Sequence, residues 1–191
     1  MITHPFRAAA SRFSLRVLLA IAAAIMLVVM NRESSHPIVH ASPTTIDAEN
    51  RKPGATDWDI TSAGDPDIQG FATDISANVG ETVHFKITAA QAYTIAVYRL
   101  GYYGGAGARL VDTIPASATI AQAQPACLNQ MATTGLVDCG NWNESAVWQI
   151  PTDAVSGIYI AKLHQVGNGH TSHIVFVVRD DSRTADIVFQ T

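Results

Sequence analysis

Thr82-Val-His-Phe-Lys-Ile-Thr88 decides the fold class. Val83, Phe85 and Ile87 fall on one face of an extended chain, and His84, Lys86 and Thr88 on the other, because successive strand side chains alternate. That pattern predicts a strand with one buried and one wet face. Outward from it, Tyr93 to Leu100 (YTIAVYRL) is largely apolar on both faces, as a central strand requires. Further β-type runs are Gln69–Ile75, Ala108–Ile114, Ala146–Ile150, Gly157–Leu163 and His173–Arg179. Turn signals separate them, at Asn78-Val-Gly-Glu81, through the glycines of 101–107, and at Gly167-Asn-Gly169. No stretch after residue 42 sustains a 3.6-residue period with caps. Short strands at this spacing predict an all-β antiparallel sandwich over residues 65–181, with its core between two sheets.

Composition agrees with a folded body. The chain has 191 residues, 48% apolar and 15% charged, which excludes a disordered polymer. Its formal net charge of −4 disfavours a nucleic-acid partner, which requires a basic face. Two cysteines exclude a four-thiolate zinc ribbon and a disulfide-dense miniprotein.

The first 41 residues read as a signal peptide or an N-terminal membrane anchor. Arg7, Arg12 and Arg16 precede the apolar run Val17–Met30, 14 residues long. As a helix this run spans about 21 Å, short of a bilayer core of about 30 Å. Val39-His40-Ala41 offers small residues for cleavage before Ser42, and the arginines set the N-terminus in the cytoplasm. The body is therefore expected outside the cytoplasm, extracellular or periplasmic, with membrane contact only through residues 17–30 if the leader stays uncut. Removing residues 1–41, which hold four Arg and one Glu, leaves 8 basic and 15 acidic residues, a formal net of −7. Residues 42–64 read as a linker or lead-in, anchored by Trp58 and Ile60. Residues 182–191 read as an edge strand or the stub of a following domain.

Tyr98-Arg-Leu-Gly-Tyr-Tyr-Gly-Gly-Ala-Gly-Ala-Arg109 is the most distinctive stretch. A β-type run follows it and no Gly-Lys-Ser/Thr is present, so it is not a phosphate loop. It reads as a hairpin turn whose glycines supply positive φ, with tyrosines free to stack on a sugar or a neighbouring domain. Tyr102, Tyr103, Gly104, Gly105, Arg109 and the separate Trp142 form the candidate contact surface. Cys127 and Cys139 are expected as a disulfide in an exported chain; free thiols or a metal site are the alternatives. His164, His170 and His173 around Gly167–Gly169 read as surface histidines rather than a metal site. Asp65-Pro-Asp67 lacks the remaining ligands of a calcium loop and reads as a turn. No Gly-x-Ser-x-Gly elbow is present. No residue is assigned as catalytic, cofactor-binding or metal-ligating.

The signature Tyr98–Arg109 resembles the "YRLGYYGGxGAR" string of proteins similar to the N,N-dimethylformamidase large (beta) subunit. Ile68-Gln-Gly-Phe-Ala72 resembles that family's "IxGYA" strand, Ser76–Val83 its "SVxxGExV" turn, and Asp138-Cys139-Gly-Asn-Trp142 its "DCxxW". Pro151–Leu163 resembles "PxxxxSGxYxAKL" and Ile174–Asp181 "FVVRDD". The resemblance spans about residues 57–191. It implies an N-terminal Ig-like sandwich preceding a larger α/β domain. That later domain is implied to cleave the C–N bond of a small amide with an iron held by tyrosines and a glutamate, and none of those ligands maps onto a residue here.

The expectation is thus an exported, noncatalytic β-sandwich, a truncated or split form, that contacts a catalytic partner domain or protein. The alternatives are a fragment or subunit of an amide hydrolase whose catalytic domain lies elsewhere, and a stand-alone carbohydrate or cell-surface module stacking sugars on Tyr102, Tyr103 and Trp142.

Overall fold

The computed structural model describes residues 45–60, 64–115 and 119–184. The leader, the cleavage region and the run at 185–190 lie outside the described residues. A helix α1 (Thr45–Asn50) is followed by ten strands: β1 (Ile68–Ala72), β2 (Ser76–Asn78), β3 (Thr82–Ala89), β4 (Tyr93–Leu100), β5 (Ala108–Ile114), β6 (Leu128–Gln130), β7 (Leu136–Asp138), β8 (Ala146–Gln149), β9 (Gly157–Gln165) and β10 (Thr171–Arg179).

The strands form an all-β sandwich. One sheet has the order β1-β3-β8 and the other β2-β10-β9-β4-β5, with β6-β7 as a separate two-stranded ribbon. The alternation in β3 is realised residue by residue: Val83, Phe85, Ile87 and Ala89 are buried and the residues between them are not. β4 contributes Tyr93, Ile95 and Val97 to the same core, and β9 and β10 add Tyr159, Leu163, Ile174 and Phe176. At the centre four aromatic rings meet. Phe176 lies 5.9 Å from each of Phe85, Trp148 and Tyr159, centroid to centroid. The two polar tips among them are satisfied: Trp148 Nε1 donates to Asp112 Oδ2 at 2.9 Å, and Tyr159 Oη donates to the Val155 carbonyl at 2.7 Å.

Three features differ from the sequence reading. First, the pairing is not wholly antiparallel: β2 runs parallel to β10, with Ser76 opposite Val177. The chain crosses between sheets in the bend at residues 73–75, so the β-type run read at 69–75 holds one strand and the crossing, and β2 begins beyond it in the other sheet.

Second, residues 45–60, within the stretch read as a linker or lead-in, are held at more points than Trp58 and Ile60. They contain α1 and lie across the outer face of the five-stranded sheet. Tyr98, Ala108 and Ile160 on that face are buried under Ala55 and Trp58. The strap is fixed by backbone as well: Ala55 N donates to the Ala108 carbonyl at 2.8 Å. Anchors beyond Trp58 and Ile60 therefore hold it. Lys162 donates to the carbonyls of Asp57 and Asp59, and His173 Nε2 donates to the Trp58 carbonyl at 2.8 Å.

Third, the loop between the cysteines is a hairpin, β6-β7, with Leu128 opposite Asp138. Cys127 and Cys139 form a disulfide immediately outside that pair.

Candidate functional site

The glycine-rich stretch folds as a tight connection between the paired ends of β4 and β5, where Leu100 lies opposite Ala108. Gly104, Gly105 and Gly107 all have positive φ, and so does Tyr103, at 41°. A non-glycine residue in that region is unusual and needs surrounding contacts to hold it. Those contacts come from a buried polar cluster. Tyr103 Oη donates to Glu49 Oε1 at 3.0 Å and accepts from Arg99 Nη1 at 3.0 Å. Arg99 also donates to the carbonyls of Val155 and Ser156, which ties the turn to the start of β9.

Glu49, on α1, is the centre of the cluster and is 1% exposed. Its Oε1 accepts from Arg109 Nε at 2.6 Å and faces Arg109 Nη2 at 2.6 Å. Its Oε2 lies 2.6 Å from Lys52 Nζ. Burial pushes the Glu49 carboxyl up, but bonds from Lys52, Arg109 and Tyr103 outweigh it and hold the group below its ordinary value. The same burial raises the Tyr103 phenol, against the opposing effect of Arg99. Burial also pushes Tyr98 up to about 12, reinforced by its hydrogen bond to Asp57. The chemistry of this cluster is that of a clamp: the carboxylate and both guanidinium groups are directed at one another or at backbone carbonyls.

The clamp divides the residues expected on one contact surface. Tyr103 is 4% exposed and belongs to the interior. Arg109 is partly covered and paired with Glu49. Tyr102 is 71% exposed, and its backbone N donates to Asn50 Oδ1 at 3.0 Å. With Gly104, Asn50, Arg51 and Pro53 it lines a concavity of about 540 Å³. Trp142 is elsewhere: its ring lies 5.8 Å from Phe71 on β1, in the other sheet. Phe71, Lys86, Val137 and Cys139 line a separate concavity of about 450 Å³ there. Tyr102, Tyr103 and Trp142 thus form no common stacking platform. Nothing in the sequence pattern marks Glu49 as part of this site, because the fold alone brings α1 to the glycine turn.

A second polar group forms at the opposite end of β9 and β10. Asp65, Asp67 and His170 converge, with one donor atom of each within 4.8 Å of the others. His164 and His173 do not join it; His173 is committed to the strap. Burial lowers the His173 imidazole from its ordinary value, opposed by its bond to Trp58.

A family model described as "N,N-dimethylformamidase beta subunit-like, C-terminal" matches residues 94–191. The chain belongs to the N,N-dimethylformamidase beta subunit-like family. Comparison with curated proteins gives no match. The segment matched to the dimethylformamidase-like model starts inside β4 and takes in the glycine turn, Arg99, Tyr103, Arg109 and strands β5 to β10. Glu49 and the strap lie ahead of it. The model's description is C-terminal, where the resemblance implied an N-terminal domain of the dimethylformamidase-like proteins.

Proposed function

We propose that this chain is an exported, noncatalytic β-sandwich module of the dimethylformamidase beta-subunit-like family whose work is contact with a catalytic domain. That domain would lie on a continuing or separate chain. One observation carries the reading. The ionisable residues of the signature, Arg99, Tyr103 and Arg109, are bound to Glu49 and to backbone carbonyls, while Tyr102 is held outward beside an open concavity. A rigid turn that buries its charges and presents one aromatic ring suits docking better than turnover. The disulfide fits an oxidising compartment and supports export.

The test has two arms. The purified chain, loaded with iron, is assayed for hydrolysis of small amides; clear turnover overturns the noncatalytic role. The reading frame beyond codon 191 and its genomic neighbours are then inspected for an α/β hydrolase domain, and that domain is tested for binding to this chain and to its Tyr102→Ala variant. Binding weakened by the substitution supports the contact role, and binding that ignores it removes the glycine turn as the docking surface.

A further inference from the structure

We propose that Asp65, Asp67 and His170 form a binding site for a borderline divalent cation of the Zn²⁺ type. This stands apart from the contact role argued above and uses none of its residues. Two segments about a hundred residues apart in sequence supply the donors: the turn entering β1 and the connection between β9 and β10. His170 Nδ1 lies 3.1 Å from Asp65 Oδ1 and 3.0 Å from Asp67 Oδ2.

The nitrogen is the informative atom. The His170 side chain is 32% exposed, but its Nδ1 itself is covered; it stands at ion-pair distance from both oxygens, and neither meets it in hydrogen-bond geometry. A ring nitrogen crowded by two carboxylate oxygens without a directed bond to either matches the edge of a coordination shell, and Asp65 Oδ1, which accepts from Asp67 N at 2.9 Å, keeps a lone pair for an ion. At zinc–ligand bond lengths of about 2.0 to 2.2 Å, adjacent donors of a tetrahedron sit about 3.3 Å apart. Two of the three edges are already within a few tenths of an ångström of that. The third closes by rotation of Asp67, whose side chain is 61% exposed.

The frame around the donors is fixed. Asp65 N donates to the Thr171 carbonyl at 3.0 Å, and the His170 carbonyl accepts from Gln165 N at 2.9 Å. A bound ion would therefore tie the entry of β1 to the β9-β10 turn at a spot where the Asp65–Thr171 backbone hydrogen bond already does so. One imidazole with two carboxylates favours Zn²⁺ over Ca²⁺, which takes six to eight oxygens. Three protein ligands leave a further coordination position for water on the Asp67 side.

The experiment is calorimetric titration of the full chain with ZnCl₂ and, separately, CaCl₂, with thermal unfolding followed in parallel. The expected result is one saturable Zn²⁺ equivalent and a raised unfolding temperature. Asp67→Asn and His170→Gln should each weaken Zn²⁺ binding by about tenfold or more. Asp67→Asn alters an exposed side chain, so it remains informative if His170→Gln folds poorly. Absence of saturable Zn²⁺ binding, wild-type binding in Asp67→Asn, or tighter binding of Ca²⁺ than of Zn²⁺ each overturns the proposal.

Discussion

Glu49 Oε1 and Arg109 Nε stand 2.6 Å apart across sixty residues of sequence, and this bond helps join the N-terminal strap to the glycine turn. Glu49 is 1% exposed and the Arg109 side chain 22%, so water replaces a lost partner only in part. Glu49→Ala is expected to destabilise the domain by about 3 kcal/mol, because it leaves a partly buried guanidinium unpaired and removes the acceptor of the Tyr103 hydroxyl. Urea denaturation of Glu49→Ala, Arg109→Ala and the double variant checks this. Coupling near zero between the two sites would mean the pair is not structural.

Acid should loosen the strap through two groups of the same sign. Glu49 has its pKa lowered in the fold, so its stabilisation is full above the ordinary carboxyl value of 4.5 and is lost as pH falls through the lowered one. His173 is also lowered, so its contribution is present above the ordinary 6.5 and falls away as pH drops below it. Stability should decline in two steps, the first starting as pH falls below 6.5 and the second below 4.5. His173→Gln should remove the first step, and a pH series of denaturant midpoints measures both.

Base acts with the reverse sign. Tyr98 and Tyr159 are both raised from 10 to about 12, so the stability they contribute is intact below pH 10 and is lost as pH rises towards 12. Burial raises Tyr93 and Tyr103 as well, so spectrophotometric titration of the phenols should show late ionisation of these four tyrosines, with unfolding accompanying it. Tyr98→Phe should remove one of them.

Gly107 has a φ of +88°, and a Cβ there would meet Trp58 Cζ2 at 2.9 Å. Gly107→Ala is therefore expected to cost about 1 to 3 kcal/mol in backbone strain and to push the indole out of its seat. The Trp58 emission should shift red and denaturant midpoints should fall. Gly104, with nothing within 4 Å of a Cβ, is a control for strain without the clash.

Reduction of Cys127–Cys139 is expected to act locally. Leu128, Met131 and Leu136 on the clamped hairpin are more than half exposed, so little core depends on it. In the chain-entropy view, closing such a loop contributes at most about 3 kcal/mol. Hydrogen exchange should quicken across residues 128–138 in the Cys127→Ser/Cys139→Ser variant while β4 and β9 stay protected.

What was legible in the sequence was whatever is encoded locally. The alternation at 82–88 needs only neighbours to state which face is dry, and β3 follows it throughout. The positive φ of Gly104, Gly105 and Gly107 is likewise a property of the turn itself. What could not be read was anything made by two distant segments. Tyr103 looked like a surface aromatic because nothing near it in sequence announces Glu49. Asp65, Asp67 and His170 read as separate turn residues until the sandwich closed. The strap hid for another reason: its six-residue helix is too short to show a period.

The strap's anchors also impose an order of events. Lys162 and His173 meet residues 57–59 over separations of 105 and 115 residues. Synthesis runs from the N-terminus, so the strap is made before either anchor exists. It must then wait, unpaired, until β9 and β10 have paired behind it. Closure of the largest loop in the domain is therefore placed at the end of folding, where its entropic cost falls on the final step.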